Sequence, residues 1–245
     1  MVDLVYVIGN KSRFDNNELK YALRSVEKYC TNYNNVYIVG YKPDFLNDNV
    51  KFVYCPDTHK DKHKNIMDCL IKVVQNRHLL RYFIRMADDE FYVRPTNMDS
   101  IPIYIKGSLP VTIEDNDPHY EYDCVLKDTR NLLDNHDLPL FNTSQHTGTL
   151  FDKTIFKNNI ELFEEAQNSQ YGCEPTCIMS NLLIDSVKCN IQKRDDLKLY
   201  RFSNEAALRK TIGDRNCFSI SDSAAYYGIF EVLEKWFPEK SKYEL

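Results

Sequence analysis

Two rhythms of hydrophobic positions alternate along the first third of the chain. Val2 to Ile8 is a nearly unbroken apolar run rich in β-branched residues that stops at Gly9 and Asn10, the pattern of a buried strand emptying into a loop. Leu19, Ala22, Leu23, Val26 and Tyr29 then recur at helical spacing. Asp15 and Glu18 stand before them as an N-cap and its partner three residues on, so a helix is predicted to about Cys30. Val36 to Val39, closed by Gly40, and Val50 to Tyr54 predict two further strands. Ile66, Cys69, Leu70, Val73 and Val74 mark a second amphipathic helix between Asp61 and about Leu79, and Arg81 to Ala87 predicts a fourth strand. Phe91 to Val93 is a short fifth strand stopped by Pro95. Beyond it the pattern loosens. Helices are predicted around Tyr122 to Leu133, Phe156 to Phe163 and Thr176 to Val187, a strand at Thr147 to Phe151, and a final helix from Asp222 through Trp236.

Strands alternating with helices predict an α/β fold with a mostly parallel central sheet covered on both faces. One domain over 1–245 is expected, with a nucleotide-type half at 1–95 and a more irregular half at 96–245. In such sheets ligands sit outside the carboxyl ends of the strands. Both Gly9-Asn10 and Asp88-Asp89-Glu90 fall on that edge.

Composition narrows the picture. The 31 Lys and Arg against 36 Asp and Glu leave a net charge of −5, which argues against a uniformly basic nucleic-acid surface. With 43% hydrophobic residues the chain can bury a large core. No window approaches 18 consecutive apolar residues, and Asp3 stands where a signal peptide carries positive charge, so a cytoplasmic protein is expected. Seven Gly against 22 Asn imply that Asn fills many left-handed turn positions. The eight cysteines form no CxxC pair, and no second Cys/His pair at zinc spacing accompanies Cys173 and Cys177, so reduced core residues are expected.

Asp88, Asp89 and Glu90 follow directly on an apolar strand. Strands avoid Asp, and adjacent acids repel one another unless a cation or a proton relieves them. A divalent metal bridging to a substrate diphosphate is one reading, because Mg²⁺ and Mn²⁺ take one or two carboxylates plus phosphate and water oxygens. A solvated acidic turn is the other. Alternation along a strand sets Asp88 and Glu90 on one face and Asp89 on the opposite one, unless the chain turns there.

The segment Ile84 to Val93, an apolar strand ending in acids and resuming with aromatics, resembles the DxD-type segment of GT-A glycosyltransferases. Asn17 to Tyr29 followed by Val36 to Gly40 resembles the first region of the Stealth sugar-phosphate transferases. The order of Asp57-Thr58-His59, Asn65-Ile66, the acids, His146 to Lys153 and Phe237 to Glu244 is similar to that of phage-associated and bacterial glycosyltransferase-like proteins. The resemblance implies a GT-A-like fold that binds a nucleotide sugar, a uridine diphosphate sugar first among donors, together with Mn²⁺ or Mg²⁺. It implies nucleoside contacts at Gly9, Asn10, Lys11 and Arg13, and a diphosphate contact at Arg24, whose alternative is an exposed helix charge. His59 would touch donor phosphate or acceptor. Asn65 would touch ribose or donor sugar, or is a helix-surface amide. Asp88 would serve the donor, and Asp89 and Glu90 the metal. The implied reaction moves a hexosyl or pentosyl group to an acceptor hydroxyl on a glycan or a modified DNA base. A Stealth-like sugar-phosphate transfer in surface polysaccharide synthesis is the alternative. The acid segment ends in Glu where the usual form ends in Asp, and the further Stealth regions have no match here, which favours plain glycosyl transfer.

A general base for the acceptor hydroxyl is sought among Asp152, Asp222 and His146. His146 could instead complete a metal shell or end its strand as a hydrogen-bonded residue, and Asp222 could cap the final helix. His59 and His63 stand four apart, but Lys60, Lys62 and Lys64 surround them and oppose a zinc site. These lysines with Arg77, Arg81 and Arg85 form a basic stretch that reads as a local patch for nucleic-acid phosphates or as a solvated helix face.

Overall fold

The computed structural model describes residues 1–10, 12–113, 120–186, 190–193 and 196–245. The first half runs β1 (Val2–Ile8), α1 (Asn17–Tyr29), β2 (Cys30–Thr31), β3 (Tyr33–Gly40), β4 (Lys51–Tyr54), α2 (Lys62–Val74), β5 (Tyr82–Met86) and β6 (Glu90–Tyr92). β7 (Thr96–Asn97), β8 (Ile103–Ile105), α3 (Tyr120–Asn135), β9 (Thr149–Asp152), α4 (Lys153–Asn158), α5 (Ile160–Asn168) and α6 (Pro175–Leu183) follow. The chain closes with β10 (Ile191–Lys193), β11 (Lys198–Leu199), α7 (Glu205–Ile212), β12 (Cys217–Ile220), α8 (Asp222–Tyr226) and α9 (Ile229–Trp236).

The predicted mostly parallel sheet is present, in the order β4-β3-β1-β5-β9, with only β9 antiparallel to its neighbour. Period-two alternation sorts its side chains. Leu4, Tyr6, Ile8, Val36, Ile38, Ile84 and Met86 join the core beneath α1 and α9, whereas Val5, Tyr37, Val39 and Phe83 join the core beneath α2 and α5. Strand order reverses between β1 and β5, which makes their carboxyl ends the switch point at which a crevice forms. Gly40, at φ +111°, brings β3 so close to β1 that a Cβ there would stand 2.1 Å from the Ile8 carbonyl oxygen. Only glycine fits that approach.

Several expectations are corrected. The fifth short strand leaves the central sheet: β6 pairs antiparallel with β12, which pairs with β11 in a separate sheet. Asp15 and Asn16 are both left-handed, at φ 54° and 56°, so no capping box forms at the start of α1. Ser12 Oγ takes up the backbone N–H groups of Phe14 and Asn16 instead. Left-handed positions fall to Asp15 and Asp137 as well as to Asn16 and Asn32, since a short side-chain carbonyl serves equally in both residue types. The helix expected over Phe156 to Phe163 is two helices meeting at Asn159, and the final helix is divided at Gly228, at φ +79°. The seven cysteines among the described residues are buried, and burial pushes the thiols of Cys173 and Cys177 up to about 12, far from thiolate chemistry. Among the described residues no helix is long and apolar enough to cross a membrane.

Candidate active site

A cleft of about 700 Å³ opens at the carboxyl ends of β1 and β5. One wall is the loop after β1, with Gly9, Asn10 and Arg13, and the start of α1, with Asn16 and Glu18. The segment from Asp57 to Ile66 supplies a second wall and the stretch from Ile220 to Ala225 a third, while Asp88 and Asp89 lie between them.

The acids owe their placement to a turn. β5 ends at Met86, Asp88 and Asp89 form the turn, and the strand resumes only at Glu90, so both aspartates face the cleft instead of alternating. The Asp89 carbonyl accepts from the Ile220 backbone N–H at 3.2 Å, which fastens the turn to the end of β12. Lys198 Nζ lies 3.8 Å from Asp89 Oδ2. Burial, reinforced by the charges of Asp89 and Glu18, pushes Asp88 up to about 7. Burial also raises Asp89, against the opposing pull of Lys198 and Arg85.

Glu90 departs from the metal-ligand expectation. It is 1% exposed, it is absent from the cleft lining, and its Oε2 has no hydrogen-bond partner among the described residues. Burial and the Asp89 charge push it up to about 8. The turn that frees both aspartates returns Glu90 to the strand, where the pleat directs it inward beneath α1.

The first wall holds Gly9, Asn10 and Arg13 as the resemblance implies; Lys11 lies outside the described residues. The Asn10 N–H donates to Asp57 Oδ2 at 3.2 Å, so the second wall shapes the first. Arg13 Nη1 meets Asp222 Oδ2 at 2.8 Å across the mouth of the cleft, both side chains being exposed. Asp222 is not the cap of α8. Ser221 is, accepting from the Ala224 N–H, because the side chain preceding the first helical residue reaches the free N–H groups.

Arg24 is neither an exposed charge nor near the cleft. It is 5% exposed, and its guanidinium is taken by Glu244, Glu234 and the Phe237 carbonyl, on the side of α1 that faces the C-terminal tail. Asn65 lines the cleft, but its amide is spent on the backbone: Oδ1 accepts from the N–H groups of Thr58 and His59, and Nδ2 donates to the His59 carbonyl. His146 is not among the lining residues. Its backbone N–H donates to Asp196, and burial with the nearby charges of Lys198 and Lys106 pushes its imidazole down to about 3, which leaves it a weak base. Asp152 caps α4 and pairs with Arg81 at 3.0 Å, remote from the cleft. His63 is buried with Nδ1 toward Glu174 at 3.8 Å, so it does not meet His59 at a common ion.

Glu18, Asp57, Lys60 and Lys62 also line the cleft. The sequence hid Glu18 behind a plausible capping role, and the lysines behind a solvated-helix reading. Lysines and Arg13 on the walls against carboxylates between them make a site of mixed sign, suited to an anion held through a cation. Among the described residues no three His, Cys, Asp or Glu side chains converge to hold a metal. Asp88 and Asp89 fit a hard divalent ion that keeps water and phosphate oxygens, and such an ion would offset the burial and the Asp89 charge that raise Asp88.

No family model matches the sequence, and no curated protein matches it. Two solved structures of LgtC are similar to it at 12% identity over 98% of this chain. One, an active-site mutant, is covered over 98% of its length with a TM-score of 0.48. The other, described as a galactosyltransferase in complex with donor and acceptor sugar analogues, is covered over 96% with a TM-score of 0.47. A likeness of this size carries no argument about what the present chain does.

Proposed function

We propose that the chain is a divalent-metal-dependent glycosyltransferase of GT-A-like architecture, moving a sugar from a nucleotide-sugar donor to an acceptor hydroxyl. Residues 1–95 form the donor half and 96–245 the acceptor half. A uridine diphosphate sugar is the expected donor, and a glycan or a modified nucleic-acid base the acceptor. The observation that carries the reading is the facing of Asp88 and Asp89 with the Gly9-Asn10 loop at the β1/β5 switch point, with Arg13, Lys60 and Lys62 on the walls.

Asp88 and Asp89 would hold Mn²⁺ or Mg²⁺, which when bound neutralises charge on a leaving diphosphate. The chain itself does the rest. Lys60, Lys62 and Arg13 place positive charge around the phosphates, and Arg13 reaches them by leaving Asp222. Asp57 fixes the Asn10 backbone against which the nucleoside rests. The lining carboxylates Glu18 and Asp57 accept hydrogen bonds from ligand hydroxyls, which phosphates lack.

The test is a thermal-shift panel of nucleotide sugars with and without Mn²⁺. A ligand at about 100 times its Kd stabilises by about 2.7 kcal/mol. The expected outcome is a shift for uridine diphosphate sugars that needs the metal. Nucleotide-sugar hydrolysis releasing the nucleoside diphosphate supports glycosyl transfer, and release of the monophosphate supports the sugar-phosphate alternative. Tight nucleotide binding with no response to metal would sink the metal assignment.

A further inference from the structure

We propose that a second cavity, at the other end of α1 from the cleft, binds an organic phosphate. Lys28, Arg94, Arg209 and Lys235 hold its charged group, and its ring body rests against Val93, Ile212 and Trp236. The proposal stands apart from the glycosyl-transfer reading and does not need it.

The cavity is about 470 Å³, the size of a small-molecule site and far more than a lone phosphate fills. Asn16 and Glu18 at the amino end of α1 line the cleft, and Lys28 and Tyr29 at its carboxyl end line this cavity, so the length of the helix, about 20 Å, separates the two. Three helices end here. Lys28 stands in the last turn of α1, Arg209 in that of α7 and Lys235 in that of α9, while Arg94 comes from the loop after β6. A basic residue in a last turn offsets the helix dipole, which by itself accounts for a cation on each helix. It does not account for their convergence on one cavity that has no carboxylate among its described lining residues, in a chain of net charge −5. The cleft, by contrast, has Glu18, Asp57, Asp88, Asp89 and Asp222 on its walls.

Neutral groups do much of the positioning. Lys28 Nζ donates to the Trp236 carbonyl at 2.9 Å and lies over the rings of Tyr29 and Phe237, 5.4 and 5.7 Å from their centres. Arg94 Nη2 donates to the Gly213 carbonyl at 2.6 Å, with the exposed Asp214 carboxylate at 3.4 Å. Arg209 lies over the Trp236 ring, 4.4 Å from its centre, and pairs with Glu205, which also accepts from the Trp236 ring N–H. Lys235, also near Glu205, donates no hydrogen bond among the described residues. Against Glu205 and Asp214 the four cations keep an excess of two positive charges. Carbonyls and ring faces fix a cation without cancelling its formal charge. That excess matches a phosphate monoester, which carries roughly −1.5 to −2 at pH 7. Val93, Ile212 and the half-buried Trp236 add apolar surface that inorganic phosphate cannot use, so the ligand is an organic one.

Trp236 is the sole tryptophan of the chain, so its fluorescence reports on this cavity and not on the cleft. The experiment titrates a hexose monophosphate, uridine diphosphate and inorganic pyrophosphate in EDTA, which withholds the metal that the cleft would use. Both organic phosphates are expected to change the fluorescence saturably, in wild type and in Asp89→Asn alike, with affinity that falls as salt is added. The double variant Arg94→Gln with Lys235→Gln should weaken binding about tenfold or more, since charged hydrogen bonds to phosphate are the strong ones. Lys235→Gln alone, which breaks no hydrogen bond among the described residues, should weaken it several-fold at an unchanged melting temperature. Tighter binding of the hexose monophosphate names a sugar phosphate as the source, and tighter binding of uridine diphosphate a nucleotide. Pyrophosphate binding as tightly as either overturns the organic assignment. No saturable change, a change that needs Mn²⁺ or is lost in Asp89→Asn, or an affinity that neither variant moves overturns the proposal. Variants that lower the melting temperature and leave the titration untouched would reduce the cations to helix caps.

Discussion

Glu244 grips Arg24 in a two-bonded fork, Oε1 to Nε and Oε2 to Nη2, both at 2.8 Å, although 220 residues separate the two in the chain. Both side chains are 5% exposed, so the pair is desolvated, and removing one member strands the other. Arg24→Ala is expected to cost about 3–5 kcal/mol in urea denaturation. Nucleotide affinity of the folded fraction should be unchanged. A tenfold loss of affinity at unaltered stability would return Arg24 to the diphosphate role.

The same pair sets part of the acid limit. Burial by itself raises Glu244, but the hydrogen bonds from Arg24 outweigh it and hold the carboxyl below its ordinary 4.5. Glu174 behaves alike: burial raises it, and the charges of His63 and Arg85 bring it below 4.5. A depressed carboxyl contributes stability that is present above the unfolded pKa and is lost as pH falls through the folded one. Wild type should therefore lose stability below about pH 4.5. Thermal melts should show Glu244→Gln less stable than wild type at neutral pH, with the gap closing as acid is added. A constant gap would mean that the glutamate is not charged in the fold.

Asp89 and Glu90 are neighbours that the turn sets apart, Asp89 facing the cleft and Glu90 buried in β6. Asp89→Asn is expected to abolish the Mn²⁺-dependent thermal shift with nucleotide sugar. Glu90→Gln should leave that shift intact, since its side chain never reaches the cleft. Because burial already favours the neutral form of Glu90, the amide should match or exceed wild type in melting temperature at pH 8 and above. Loss of the metal response in Glu90→Gln would reinstate it as a ligand.

Gly40, the last residue of β3, and Gly9, in the loop just after the adjoining β1, differ in tolerance. Gly40→Ala places a methyl group 2.1 Å from a backbone oxygen at φ +111°. It should destabilise by more than about 2 kcal/mol, or prevent folding, because the obstacle is main chain that cannot rotate away. At Gly9 the nearest obstacle to a Cβ is Asp57 Oδ2 at 3.6 Å, an ordinary contact. Gly9→Ala should keep the wild-type melting temperature, measured by differential scanning fluorimetry. Equal destabilisation by the two changes would contradict the close approach at Gly40.

Local pattern was enough for β1, α1, β3, α2 and β5, because their apolar period is itself the cause of their burial; β4 was also located, although its Phe52 and Tyr54 stand exposed at the sheet edge. It also located the acids at a strand end and the glycine-bearing loop on the same edge. What it could not supply were relationships across the fold. Alternation predicted that Asp88 and Glu90 would share a face, and only the turn, fastened by the Ile220 N–H to the Asp89 carbonyl, sets Asp88 beside Asp89 and buries Glu90. Arg24 looked like a phosphate ligand until Glu244 returned to meet it. His59 gained its orientation from Asp68 and Gln167, the latter 108 residues away. Hydrophobic period is a property of neighbouring residues, so the chain carries it openly. The charge state and aim of a polar group depend on which partners burial leaves within a few ångströms, and tertiary packing alone decides those.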